Sequence, residues 1–320
     1  PMANTSILRN CEAMINKTTL YILFILFVFA VFTSCDGDGE KTEENILYIV
    51  ATTGMIADAA ANIVGDSARV EGLMGPGVDP HLYKATRSDL DKLREADVIL
   101  YNGLHLEGKM GEVLEKLAAQ KPVIAVADVI DQDRLISTGN DTYDPHIWFD
   151  LSLWREAVEV LGSRLAELQP EQADYYQRNT RAYAQELADL HKWTQEQIAS
   201  IPETQRVLIT AHDAFSYFGK AYDIEVRGLQ GISTLSEFGL RDVSELVNFI
   251  VERGIKAVFV ESSVPTRSLE AVVSGVQESG HEVQIGGTLY SDALGAPDTE
   301  AGTFVGTVRS NVNTIVSSLK

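Results

Sequence analysis

The sequence predicts an α/β fold with parallel sheets, built in two stretches on either side of a long helix. Three observations carry this. Short β-rich apolar runs alternate with helix-patterned segments between about residues 46 and 128, and the alternation restarts after Pro202. From Leu151 to Ile201 the chain is almost continuously helix-compatible. The length, 320 residues with 45% hydrophobic and 22% charged side chains, suits a folded chain of two domains.

In chain order, ILYIVATT (46–53) predicts a first strand ending in a Thr-Thr-Gly turn. MIADAAANIVG (55–65) has helical apolar spacing and stops at Gly65, a C-cap residue. ARVEGLM (68–74) is a second strand, followed by the loop GPGVDPHLYKAT. SDLDKLREA (88–96) predicts a helix capped by Ser88 or Asp89. ADVILYNG (96–103) and KPVIAVAD (121–128) are further strands with a helical stretch between them. In the middle segment Pro170 is the main break, and the run that follows it to Ile201 predicts one helix of about 30 residues, roughly 45 Å long. That is long enough to run along two lobes, though an ordinary pair of packing helices fits the same pattern. RVLITAH (206–212), EVRGLQG (225–231), KAVFVES (256–262) and HEVQIGG (281–287) read as strands. Helices are expected over 241–254, 268–280 and 303–319.

The N-terminus predicts export. Lys17 precedes a 13-residue apolar run, Leu20 to Phe32. A spanning helix needs roughly 20 residues, so this run reads as the core of a signal peptide. Phe32-Thr33-Ser34-Cys35 follows, and small residues before a Cys resemble a bacterial lipobox, with Cys35 as the lipidated residue. Met14 is a candidate start, which makes residues 1–13 an upstream extension. The expected organisation is a lipoprotein-type signal peptide at 1–34, a lipidated N-terminus and tether at 35–45, an N-terminal α/β lobe at 46–165, a linking helix at 166–202 and a C-terminal α/β lobe at 203–320. Cys11 and Cys35 are the two cysteines, so a mature chain beginning at Cys35 has no disulfide. The formal net charge of -20 repels phosphate backbones and argues against nucleic-acid binding.

The chemistry is carried by histidine. Two of the six lie in identical tripeptides, Asp79-Pro80-His81 and Asp144-Pro145-His146. Proline holds its own backbone angle and biases its predecessor to extended conformations, so each His sits on a stiff loop. His212 ends the strand RVLITAH, and ligands of open α/β sheets gather at the carboxyl ends of strands. His81 and Asp292 also lie in loops after strands. Imidazole and carboxylate are natural donors for zinc, manganese and ferrous iron. The separation of these residues, about 65 to 80 positions, makes spacing alone a weak signal. His191, on a long charged helix, and His281, opening a strand, read as surface residues. His105 follows a strand end and reads as a supporting residue rather than a direct ligand.

GLMGPGVDPHLYKAT, ILYNGLHLEGKMGEV, DPHIWFD, VLITAHDAFSYFGKAYDIEVRGLQGIST, VFVESSVP and VQIGGTLYSDALG together resemble the metal-binding receptors of bacterial zinc and manganese ABC importers, the TroA-like and ZnuA-like family. The resemblance runs from about residue 46 to the C-terminus. It implies two Rossmann-like lobes with parallel sheets joined by one long backbone helix, and a metal in the cleft between them. The family's ligand positions fall on His81, His146, His212 and Asp292, two per lobe. It implies an extracytoplasmic, membrane-anchored monomer, in the periplasm or at the cell surface, that passes its metal to an ABC importer permease and its ATPase. Three imidazoles and one carboxylate favour zinc, then manganese, then iron. Dedicated zinc scavengers of this kind often carry a His-rich loop, and residues 106–145 contain no His. Two other readings stay open: a metal-dependent hydrolase with Asp213 or Glu261 as general base, and a metal-stabilised surface adhesin. The first lacks HExxH and GxSxG motifs.

Overall fold

The computed structural model describes residues 46–320. The signal peptide, Cys35 and the tether of the sequence reading lie outside the described residues.

The first half is a four-stranded parallel sheet. β1 (Leu47–Ala51) pairs with β2 (Ala68–Gly72) on one side and β3 (Val98–Tyr101) on the other, and β4 (Val123–Ala125) pairs with β3, giving the order β2-β1-β3-β4. Side chains alternate between faces of a strand, and the packing follows that period of two. Ile49, Ala51, Val98 and Leu100 pack with Met55, Ile56, Ala59 and Ile63 of helix α1 (Gly54–Val64). Val50 and Ile99 face the other way, onto Leu93 of α2 (Arg87–Glu95) and Leu114 of α3 (Gly111–Ala118). A sheet covered on both faces needs near-continuous apolar strands, which is what β1 and β3 supply. α1 stops at Gly65, whose φ of 53° is reached without strain by glycine. The cap of α2 differs from the expected Ser88 or Asp89. Thr86 caps it, accepting from the Asp89 amide at 3.3 Å while the Asp89 carboxylate accepts from the Thr86 amide at 2.7 Å.

A short hairpin that the sequence reading did not include, β5 (Ser137–Gly139) with β6 (Thr142–Tyr143), turns at Asn140 and Asp141, both at positive φ. Then come α4 (Leu151–Leu168), a single 3-10 turn at Pro170–Gln172, and the 27-residue α5 (Ala173–Ala199). Asp150 caps α4 by accepting from the Ser152 amide at 2.9 Å. α4 packs closely on α5, with Gly162 against Thr180. At 1.5 Å per residue α5 is about 40 Å long.

The second half repeats the α/β pattern. β7 (Val207–His212) pairs parallel with β8 (Glu225–Gln230), the two being linked by α6 (Ser216–Tyr222). β9 (Ala257–Glu261) pairs parallel with β10 (Gln284–Leu289), and β7 lies against β9. Helices α7 (Leu240–Arg253) and α8 (Arg267–Glu278) cover one face through Val258, Val260 and Ile209. α9 (Phe304–Leu319) covers the other. β10 starts three residues later than its predicted strand, so His281 lies before it. α5 touches α1 from the first half and α6 and α9 from the second. The apolar core is therefore continuous between the halves, and the Phe149 and Phe215 rings stack across the junction at 4.2 Å.

Candidate metal centre

The carboxyl ends of the strands in both halves converge on one buried cluster. His81 comes from the loop after β2, His146 from the turn before α4, His212 from the last position of β7 and Asp292 from the loop after β10. All four are at most 2% exposed, and one donor atom from each lies within 4.8 Å of every other. His81 Nε2 is 3.3 Å from His146 Nε2. The Asp292 carboxylate is 3.4 Å from His146 Nε2, 3.3 Å from His212 Nε2 and 3.9 Å from His81 Nε2.

A tetrahedron with metal–donor bonds of about 2.0–2.1 Å has edges of about 3.3–3.4 Å. The His81–His146 separation and the Asp292 Oδ2–His212 separation match that edge, while Asp292 Oδ1 rather than Oδ2 is the oxygen 3.4 Å from His146 and Oδ2 lies farther, 3.9 Å, from His81. Both Asp292 oxygens are buried without a hydrogen-bond donor, a costly arrangement for a carboxylate unless a cation completes it. The donor set therefore fits a divalent transition metal.

Local structure aims each ring. In both tripeptides the Asp accepts from the backbone amide of its own His, Asp79 Oδ1 from His81 at 2.8 Å and Asp144 Oδ1 from His146 at 2.9 Å. This side-chain turn fixes where the His points. Asp144 Oδ1 also lies 2.6 Å from His146 Nδ1. Glu261, at the end of β9, does the same for His212: Oε1 accepts from the His212 amide at 2.8 Å and Oε2 lies 2.6 Å from Nδ1. A carboxylate on Nδ1 holds the proton there and leaves the Nε2 lone pair toward the centre.

Electrostatics follows from these neighbours. Burial opposes charge on His146, but the Asp144 carboxylate and then Asp292 outweigh it and hold its pKa up at about 9. Burial likewise opposes charge on His212, and Glu261 and Asp292 overcome it, so this ring too is held well above the ordinary imidazole value. Burial works against the Asp292 carboxylate, and His212 and His146 reverse it, keeping the group well below the usual carboxylate range. His81 has no such carboxylate, and burial lowers it to about 3.

Several contributors escaped the sequence reading. Trp148 lies edge-on to His146, 5.2 Å between ring centroids, and donates from Nε1 to the Ser291 carbonyl at 3.1 Å, next to Asp292. Asn311 of α9 clasps the Tyr290 peptide from both sides, at 2.9 and 2.8 Å. Asn102 donates to the Pro145 carbonyl at 3.0 Å, and its own amide is held by the buried Glu107 carboxylate at 2.7 Å. His105 is exposed, at φ 65°, and outside the cluster; Glu107, two residues on, carries the support expected of it. His191 is half-buried rather than on an open face, bonded to Tyr222 Oη at 3.0 Å. His281 bonds the Ile255 carbonyl at 2.9 Å. Glu261 faces Nδ1 of His212, away from the centre, and Asp213 accepts from Ser216 at 2.7 Å, so neither is placed as a base on a metal-bound water. A cavity of about 900 Å³ lined by Lys256, Gln277 and His281 opens at the other, amino end of β9 and β10 and holds none of the four donors.

The family described as ZnuA, zinc-uptake complex component A, periplasmic, matches residues 49–318. The chain belongs to the ZnuA family. Among its relatives, the manganese-binding lipoprotein MntA of Bacillus subtilis is 51% identical over 92% of this chain and 97% of its own length. The zinc-binding protein TroA of Treponema pallidum is 44% identical over 96% of this chain and 99% of its own. The solved structure of the periplasmic zinc-binding protein TroA from that organism superposes with a TM-score of 0.84 at 47% identity, covering 86% of this chain and 99% of that one. The ZnuA-family fold of two α/β lobes and a long helix, expected from the sequence motifs, is thus the fold of this chain. The ZnuA family consists of transport components, which closes the hydrolase reading.

Proposed function

We propose that this chain captures one divalent transition metal outside the cytoplasm and delivers it to the permease of an ABC importer. The observation that carries this is the buried convergence of three imidazoles and one carboxylate, one donor atom from each lying within 4.8 Å of the others. His81, His146, His212 and Asp292 are the ligands in this reading. With lobes at 46–165 and 203–320, joined by a segment at 166–202 that is not one helix but the end of α4, the Pro170–Gln172 turn and α5, each lobe supplies two of them, so the metal would bridge lobes that must part slightly to let it go. Four protein donors leave no position for a reactive water, which suits carriage rather than hydrolysis.

Zinc and manganese are the two cargoes this reading names. The donor set favours zinc by intrinsic affinity. The MntA relative, named for manganese, supports the second ion. Relatives named as lipoproteins support anchoring through Cys35, with the permease and its ATPase as partners. Among the described residues no helix is long and apolar enough to cross a membrane.

The test is metal analysis of the protein purified from its native host, followed by zinc–manganese competition on the metal-free protein. One tightly bound ion per chain and no hydrolytic turnover are expected. Absence of stoichiometric metal binding would overturn the proposal.

A further inference from the structure

The two Asp-Pro-His turns are built alike but wired differently. In the second, Asp144 Oδ1 serves both the amide and the ring of His146. In the first, Asp79 Oδ1 serves the His81 amide, and Oδ2 turns outward to accept a 2.6 Å hydrogen bond from Thr234 Oγ1. Thr234 lies 155 residues away, in the loop between β8 and α7. That loop is itself tied down. Gln230, the last residue of β8, donates from Nε2 to the Thr234 carbonyl at 2.7 Å and also to the Ser236 carbonyl. Gln230 is paired in register with His212, and its carbonyl accepts from the Asp213 amide at 3.0 Å. A continuous chain of hydrogen bonds thus runs from the strand end carrying His212, through Gln230 and Thr234, to Asp79 and the His81 turn.

We propose that Thr234 is a positioning residue for metal retention: its hydroxyl ties the His81 turn to the opposite lobe and sets how long a bound metal is held. This rests on the metal-carrying function proposed above. His146 and His212 are each gripped at Nδ1 by a carboxylate from their own half, Asp144 and Glu261. No carboxylate lies at the His81 ring on the side away from the centre among the described residues; its nearest carboxylate, Asp292, faces Nε2. The orientation of His81 therefore depends on its turn, and among the described residues the turn's one side-chain hydrogen bond to the other lobe comes from Thr234. When the lobes part, this bond must break before His81 can leave with its loop.

The experiment is stopped-flow release of zinc into excess chelator from the full chain and three variants. Thr234→Val keeps the shape and removes the donor. It is expected to raise the release rate about ten- to a hundredfold, the size of losing a hydrogen bond to a charged acceptor, while the association rate changes little. Thr234→Ser restores the donor and is expected to return the rate to within a few-fold of wild type. Gln230→Leu frees the Thr234 carbonyl and is expected to raise the rate by a smaller factor, and it stands as the test if Thr234→Val fails to fold. Unchanged release in Thr234→Val, or in Gln230→Leu where only that variant folds, overturns the proposal, as does a serine variant as fast as the valine. Wild-type protein that binds no zinc would instead overturn the carrier function itself.

Discussion

Replacing Glu261 by Gln tests whether the carboxylate behind His212 is what makes that imidazole a metal donor. Glu261 is buried and satisfies two contacts at once, the His212 amide at 2.8 Å and Nδ1 at 2.6 Å. A glutamine has one acceptor oxygen for these two sites. If that oxygen stays on the amide, the NH2 group faces Nδ1 as a donor and drives the ring to the tautomer with its proton on Nε2, where the metal belongs. If it stays on Nδ1, the backbone amide is left facing another donor. Either way the buried His212 loses one of its two close contacts to a charged oxygen, the amide hydrogen bond or the 2.6 Å approach to Nδ1, a loss of about 1.5–3 kcal/mol. The expected loss of metal affinity is about 10–100-fold, the usual range for a carboxylate behind a ligand histidine. The charge removed also stops supporting the imidazolium of the metal-free state, so fewer protons should leave on binding. Titration calorimetry in two buffers of different ionisation enthalpy reads both quantities, and a thermal melt of the metal-free variant checks the fold. Wild-type affinity together with an unchanged proton count would refute the reasoning.

Three further outcomes are expected. In the proposed site His212→Ala removes one of four donors; a quarter of roughly 10–16 kcal/mol for a complete zinc site predicts binding weakened about 70- to 900-fold by calorimetry, whereas His191→Ala, whose ring bonds Tyr222 away from the cluster, leaves affinity within about twofold. The His146 imidazolium, held up at about 9 against an ordinary 6.5, contributes metal-free stability fully below pH 6.5 and loses it as pH rises through about 9. Metal replaces that proton, so the metal-induced rise in Tm should be larger at pH 8 than at pH 6, and an equal rise at both would contradict the proton exchange. Gly162→Ala would drive a methyl group into the Thr180 hydroxyl where α4 meets α5, and should destabilise the fold by about 1–3 kcal/mol in a thermal melt while leaving zinc affinity unchanged.

Which parts of the site were legible depends on the range of the signal. His81 and His146 stand in a repeated tripeptide whose stiffness is local, and His212 closes an apolar strand, so both features can be read from a few neighbouring residues. Asp292 is one of 46 acidic residues; its place in a loop after a strand is weak evidence, and it leaned mainly on the family motif. Glu261 entered the sequence reading only as a candidate general base, because its contact with His212 depends on β9 lying beside β7, 49 residues apart in sequence. Asn311, Trp148 and Thr234 act through backbone or side-chain contacts 21, 143 and 155 residues away. The Thr86 cap is different. Its Thr-x-x-Asp pattern is written in the sequence, and Ser88 and Asp89 merely competed for the same role.

The charge of the buried cluster explains why a carrier can both hold its cargo firmly and accept it without rebuilding the site. Three carboxylates, Asp144, Glu261 and Asp292, surround the rings, and they favour the protonated forms of His146 and His212. Exchanging those two protons for one divalent ion leaves the net charge of the cluster unchanged. The carboxylates are buried in this structure, so part of their desolvation precedes binding. Burial keeps His81 neutral, so it brings no positive charge of its own to the centre. Capture is then an exchange of cations inside a pre-formed cage, and what governs release is how readily the His81 turn, clipped to the other lobe through Thr234, swings away.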